Sequence, residues 1–84
     1  MKVLVRCFAS IREIVGTNEL IVDLPEGSTL NQLLHELCGQ FPGLQALMGS
    51  LMFSVNREYA STDTTLMAGD EIALIPPISG GIDV

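Results

Sequence analysis

A chain of 84 residues accommodates one domain and not two. Its apolar share of 48% lets one core form without disulfides or a metal, although a domain this small buries only about 60% of its unfolded surface. Ten acidic residues against four basic ones leave a net charge of −6, which argues against a nucleic-acid partner and favours docking on a basic protein surface, weakening as salt rises.

Residues 2–8 read as a strand rich in β-branched side chains, with Val3, Val5 and Cys7 on one face and Lys2, Leu4, Arg6 and Phe8 on the other. The charges mark the second face as the outer one, yet Leu4 and Phe8 share it. Ser10 and Glu13 have the spacing of a capping box opening a short helix, which Gly16 is suited to end. Residues 19–24 alternate, with Leu20, Val22 and Leu24 facing the core and Glu19, Ile21 and Asp23 facing out. Pro25-Glu26-Gly27 is turn chemistry.

The longest helix follows. Leu30, Leu33, Leu34, Leu37, Cys38 and Phe41 form one apolar stripe at helical spacing. Thr29 and Gln32 supply a capping box, and Pro42-Gly43 a stop. Leu44–Gly49 fits either a short helical turn or an apolar loop. Residues 51–56 read as a strand ending in a turn at Asn56-Arg57-Glu58. Residues 58–67 are polar and irregular, with room for a brief edge strand near Tyr59. Ala68-Gly69-Asp70 turns into a last strand, Glu71 to Ile75. This order implies an α+β fold of the β-grasp type: one mixed sheet, the first and last strands side by side in its middle, and the long helix packed across one face. The domain is expected to span 1–77, followed by a flexible tail, 78–84.

The residue types for catalysis are sparse. The single histidine, His35, falls off the apolar stripe of its helix and reads as solvent-facing. Asp70 and Glu71 are adjacent strand residues and point to opposite faces, so turn chemistry explains them better than a paired acid site. Cys7 and Cys38 lack metal-ligand spacing and read as two reduced core thiols. The four methionines read as core filler, and no metal site is expected. Met1-Lys2 leads directly into a strand pattern with no signal-peptide core, and no stretch approaches the ~20 apolar residues of a membrane helix. A cytoplasmic protein without an active site of its own is the expectation.

The C-terminus is the most unusual segment. Pro76 and Pro77 lack amide hydrogens and fix φ, so the last strand must end there and the chain leaves extended. Ile78, Ser79, Gly80 and Gly81 follow, with little side-chain bulk. From Pro77 to Gly81 such a chain reaches at most roughly 13 Å, which suits a narrow channel in another protein. By composition alone, a frayed terminus accounts for it equally well.

Several segments together resemble one family. Phe8-Ala9-Ser10-Ile11-Arg12-Glu13-Ile14-Val15-Gly16, then Val55-Asn56, then Leu66 and Gly69-Asp70-Glu71 leading to Pro76-Pro77-Ile78-Ser79-Gly80-Gly81, are similar to the MoaD family. That family comprises the ubiquitin-like small subunits of molybdopterin synthase and is related to the thiamine sulfur carrier ThiS. The resemblance implies that Gly81 is the reacting residue. A MoeB-like enzyme would adenylate its carboxylate with ATP, sulfur would replace the adenylate, and the resulting thiocarboxylate would enter a MoaE-like large subunit in a heterotetramer to build the dithiolene of the molybdenum cofactor. The small subunit then binds no cofactor itself and carries sulfur on Gly81. Phe8, Tyr59 and Ile75 are the expected partner interface: Phe8 and Ile75 share the outer sheet face, and Tyr59 matches an interface hydrophobe of the family pattern. Ser79, Ile78, Pro77 and Pro76 form the expected inserting tail.

The family pattern ends at Gly81, whereas this chain continues with Ile82-Asp83-Val84. With those residues attached, Gly81 has no carboxylate to adenylate. Trimming by a protease, an expression scar or a divergent role each accounts for the extension. Two further functions fit the same tail: a ubiquitin-like protein modifier, and a sulfur carrier for another pathway such as tRNA thiolation or thiamine synthesis.

Overall fold

Strand β1 (Lys2–Cys7) lies inside the sheet, and its alternation is realised as expected: Val3, Val5 and Cys7 are buried while Lys2, Leu4 and Arg6 face outward. The computed structural model describes residues 1–77; positions 78–84, including Ile78, Ser79, Gly80 and Gly81, lie outside the described residues. Strand β2 (Glu19–Asp23) pairs antiparallel with β1, setting Val3 opposite Val22 and Val5 opposite Leu20. On the other side of β1 runs β5 (Glu71–Ile75), parallel to it, with Val5 opposite Ile72. Strand β3 (Met52–Val55) is antiparallel to β5, and the two-residue β4 (Glu58–Tyr59) closes the edge. The order β2-β1-β5-β3-β4 is the β-grasp arrangement, with the first and last strands adjacent.

Helix α2 (Leu30–Gln40) covers the inner face through Leu30, Leu33, Leu34 and Leu37. Its capping box forms: the Thr29 hydroxyl accepts from the Gln32 amide, and the Gln32 side chain accepts from the Thr29 amide. Two more amides at this end are satisfied from a distance. Leu30 and Asn31 donate to the carbonyls of Thr64 and Thr62 at 2.9 and 2.8 Å, which straps the polar 60s segment to the helix start and buries Leu66. The helix stops where Pro42 has no amide to offer, and Pro42–Ser50 continues as a 3₁₀ helix that buries Leu44.

The short helix α1 (Ala9–Val15) corrects one expectation. Phe8 is its N-cap, and no side-chain capping bond forms, so Ser10 and Glu13 do not make a capping box. The Phe8 carbonyl accepts from Ile11 and Arg12 at 2.9 and 3.4 Å. The helical register is thereby set two residues before Ser10. Gly16 ends the helix in the left-handed region at φ +91, its amide bonded to the Arg12 carbonyl.

A second correction concerns the methionines. Met1 and Met48 pack against the core, whereas Met52 and Met67 are exposed. The β3–β4 hairpin turns through Asn56 and Arg57, both at positive φ (+52 and +72). That is the pattern of the two-residue turns favoured by the twist of paired strands. Asparagine tolerates it, while arginine there costs about 1 kcal/mol or more. The Asn56 side chain donates to Asp70 at 2.9 Å and accepts from the Glu71 amide at 3.0 Å. Asp70 also accepts from the Met67 amide at 2.8 Å. The carboxylate of Asp70 is therefore consumed in bracing the turn that launches β5.

Candidate functional site

Among the described residues no helix covers the outer face of the sheet. The register places Arg6 beside Ala73 from one side and Ser54 beside Ala73 from the other. Because alanine is small, a groove of about 410 Å³ opens above it. Phe8 and Ile75 line the end where β5 terminates and the chain reaches Pro76 and Pro77. Arg6, Glu71 and Arg57 line the opposite end. Arg6 is fixed by Glu71 at 3.1 Å and faces Glu19 at 3.9 Å. Phe8 is 43% exposed although it belongs to the most apolar residue types, so the groove presents hydrophobic surface to solvent.

The structure thus brings Phe8 and Ile75 together at one groove. Tyr59 pairs with Ser54 in register and so shares the same face, but at 75% exposure it stands at the sheet edge and does not line the groove. Two residues on this face, Met52 and Arg57, escaped the sequence reading. Met52 sits opposite Ile75, Ile21 sits opposite Leu4, and both are exposed; Arg57 reaches the groove from the hairpin. Ile21 was legible as outward-facing from alternation. Met52 needed the β3–β5 register, which local sequence does not encode.

Other titratable groups lie away from the groove or are engaged. Burial pushes the Cys7 thiol above its ordinary pKa, as expected of a core thiol, and Cys38 is half-buried. Hydrogen bonding from Lys2 and the attraction of its charge, followed by the same effects from the N-terminal ammonium, hold the Asp23 carboxyl below its usual range. His35 is exposed on α2, on the other side of the sheet. Among the described residues no group of three or more His, Cys, Asp or Glu is placed to hold a metal ion, and no helix is long and apolar enough to cross a membrane. The arrangement is suited to docking a protein beside the point where the last strand hands over to the C-terminal segment.

Comparison with known proteins agrees with a ubiquitin-like β-grasp carrier. Residues 5–81 match the ThiS family. The chain belongs to that family. A molybdopterin synthase sulfur carrier subunit of Arabidopsis thaliana is 37% identical over 81 residues, covering 96% of this chain and 84% of the relative. Among solved structures, SAMP1 from Haloferax volcanii superposes with a TM-score of 0.88 at 29% identity, covering 96% of this chain and all of the other. A chain from the complex of subunits 1 and 2 of the molybdopterin-converting factor of Helicobacter pylori superposes with a TM-score of 0.69 at 27% identity, covering 96% and 100% of the two chains.

Proposed function

We propose that this chain is the sulfur carrier subunit of a molybdopterin synthase, working in the cytoplasm, with residues 1–77 as the docking domain and 78–84 as the delivering tail. The observation that carries the reading is the family match itself, which extends to Gly81 and ends there, three residues before Val84. Glycine at that position leaves its carbonyl carbon unshielded by any Cβ. A protease first hydrolyses the Gly81–Ile82 bond, water supplying the new carboxyl oxygen and Ile82 leaving as the amine. The carboxylate attacks the α-phosphorus of ATP in a MoeB-like enzyme and expels pyrophosphate. Sulfur at the sulfide level then attacks the acyl carbon, AMP leaves, and a thiocarboxylate remains. A MoaE-like large subunit docks on the sheet face around Phe8, Ile75 and Tyr59, receives the tail from Pro76 onward, and supplies the substrate pocket and acid–base groups. The complex of subunits from Helicobacter pylori supports that pairing.

A second reading has its own support. The TM-score of 0.88 is to SAMP1 of Haloferax volcanii, a small archaeal modifier protein. In that reading the activated Gly81 carbonyl ends on a lysine amine of another protein. The test is reconstitution with the activating enzyme from the same cells. A chain ending at Gly81 should support exchange of pyrophosphate into ATP and, with a sulfide donor and the large subunit, convert the pterin precursor. Failure of that chain to be adenylated would remove both readings, whereas adenylation with lysine adducts and no pterin product would leave the modifier.

A further inference from the structure

The groove carries a charge that no described residue neutralises. Lys2 is paired with Asp23 at 3.2 Å, Arg6 with Glu71 at 3.1 Å, and Arg12 donates to Asn18. Arg57 lines the groove and makes no ion pair and no side-chain hydrogen bond among the described residues. It occupies the second central position of the hairpin at φ +72, where glycine would sit without strain. The turn is held in place, since the Asn56 amide donates to the Glu71 carbonyl at 2.8 Å. A strained arginine on a braced turn, beside an apolar groove, presents its guanidinium to whatever fills that groove.

We propose that Arg57 is a specificity-determining anchor for a carboxylate of the partner protein. The groove reads a partner segment with an Asp or Glu at the Arg57 end and an aliphatic or aromatic side chain at the Phe8–Ile75 end. This rests on the carrier reading above and states which chemistry the large subunit presents. Glu71 and Ile75 are four strand steps apart, so the two partner features lie roughly 13 Å apart. Their order is fixed too, with the apolar anchor at the end where the tail departs. Charge complementarity selects the occupant. Arg6 is held between Glu71 and Glu19, which leaves Arg57 as the unpaired positive charge of the groove lining among the described residues, on a chain whose net charge is −6. The acidic domain as a whole favours a basic partner surface, while its groove asks for an anion at the centre of it. Arginine suits that role because its planar fork binds a carboxylate through two parallel hydrogen bonds.

The test is calorimetric titration of the chain ending at Gly81 with the purified large subunit from the same cells, at low and high salt. Arg57→Gly relieves the backbone strain, so its melting temperature should equal or exceed that of the parent. Its affinity should nevertheless fall about tenfold to a hundredfold, with a shallower salt dependence, and Arg57→Lys should recover only part of the loss. Unchanged affinity of Arg57→Gly alongside tight binding of the parent would overturn this inference alone. So would an Arg57 effect seen only in the chain extending to Val84, since the anion would then be the chain's own Asp83. Absence of any binding by the parent would remove the carrier reading and this inference with it.

Discussion

Replacing Phe8 by aspartate separates folding from docking. The Phe8 side chain leaves 43% of its surface exposed at the groove. Taking about 200 Å² for a phenylalanine side chain, close to 90 Å² remains available for a partner to bury, worth about 2 kcal/mol or roughly thirtyfold in affinity. Aspartate would forfeit that area and add a carboxylate that the partner must desolvate, so the loss should exceed thirtyfold. The same change should leave the domain folded. Phe8 is the N-cap of α1 with extended backbone at φ −119 and ψ 151, and it offers no side-chain bond to the helix. Aspartate is among the preferred N-caps, contributing about 1 kcal/mol over a residue that cannot accept. The fold itself buries the rest of Phe8, roughly 110 Å² or about 3 kcal/mol, so the cap offsets only part of the loss and the melting temperature should fall by roughly 10 °C with one cooperative transition retained, while calorimetric titration with the large subunit shows the affinity collapse. A variant that no longer folds would refute the separation of folding from docking, and one that binds like the parent would refute the assignment of the groove as the interface.

Thr29→Ala should cost about 1 kcal/mol in urea denaturation, because it removes one half of the capping box on α2; Ser10→Ala should cost far less, since Ser10 caps nothing. Leu33→Ala, at a site wholly shielded from solvent beneath the sheet, should cost about 2–5 kcal/mol in the same assay. Asp23 has a folded pKa held below its unfolded value by Lys2 and the N-terminal ammonium. It therefore stabilises the fold above the unfolded carboxyl pKa, and that contribution is lost as pH falls through the depressed value. Asp23→Asn should flatten the acid limb of the stability profile, read by chemical denaturation between about pH 2 and 5. In alkylation of the native protein Cys38 should react well before Cys7, whose thiol is buried and pushed up in pKa.

Much of the fold was readable because its signals are local. The alternation of β1, the leucine stripe of α2, the Thr29–Gln32 box and the Asn56, Gly69 and Asp70 turns each follow from neighbours in sequence. The Ser10–Glu13 spacing misled because a capping box is decided by which carbonyl accepts the first helical bond, and the Phe8 carbonyl does so here. The groove was only half readable. Phe8 and Ile75 could be placed on one face once β1 and β5 were taken as neighbours. Tyr59, Met52 and Arg57 depend on how β3 and β4 register against β5, a pairing of distant segments that no local pattern reports. The absence of ion-pair partners around Arg57 among the described residues likewise belongs to three dimensions.

What the cell does with residue 81 can be read directly from the intact mass of the protein isolated from its native source. A chain ending at Gly81 is the expected result, part of it heavier by the difference between a sulfur and an oxygen atom. A population that retains Ile82-Asp83-Val84 throughout, with no thiolated species even when the activating enzyme is abundant, would contradict it.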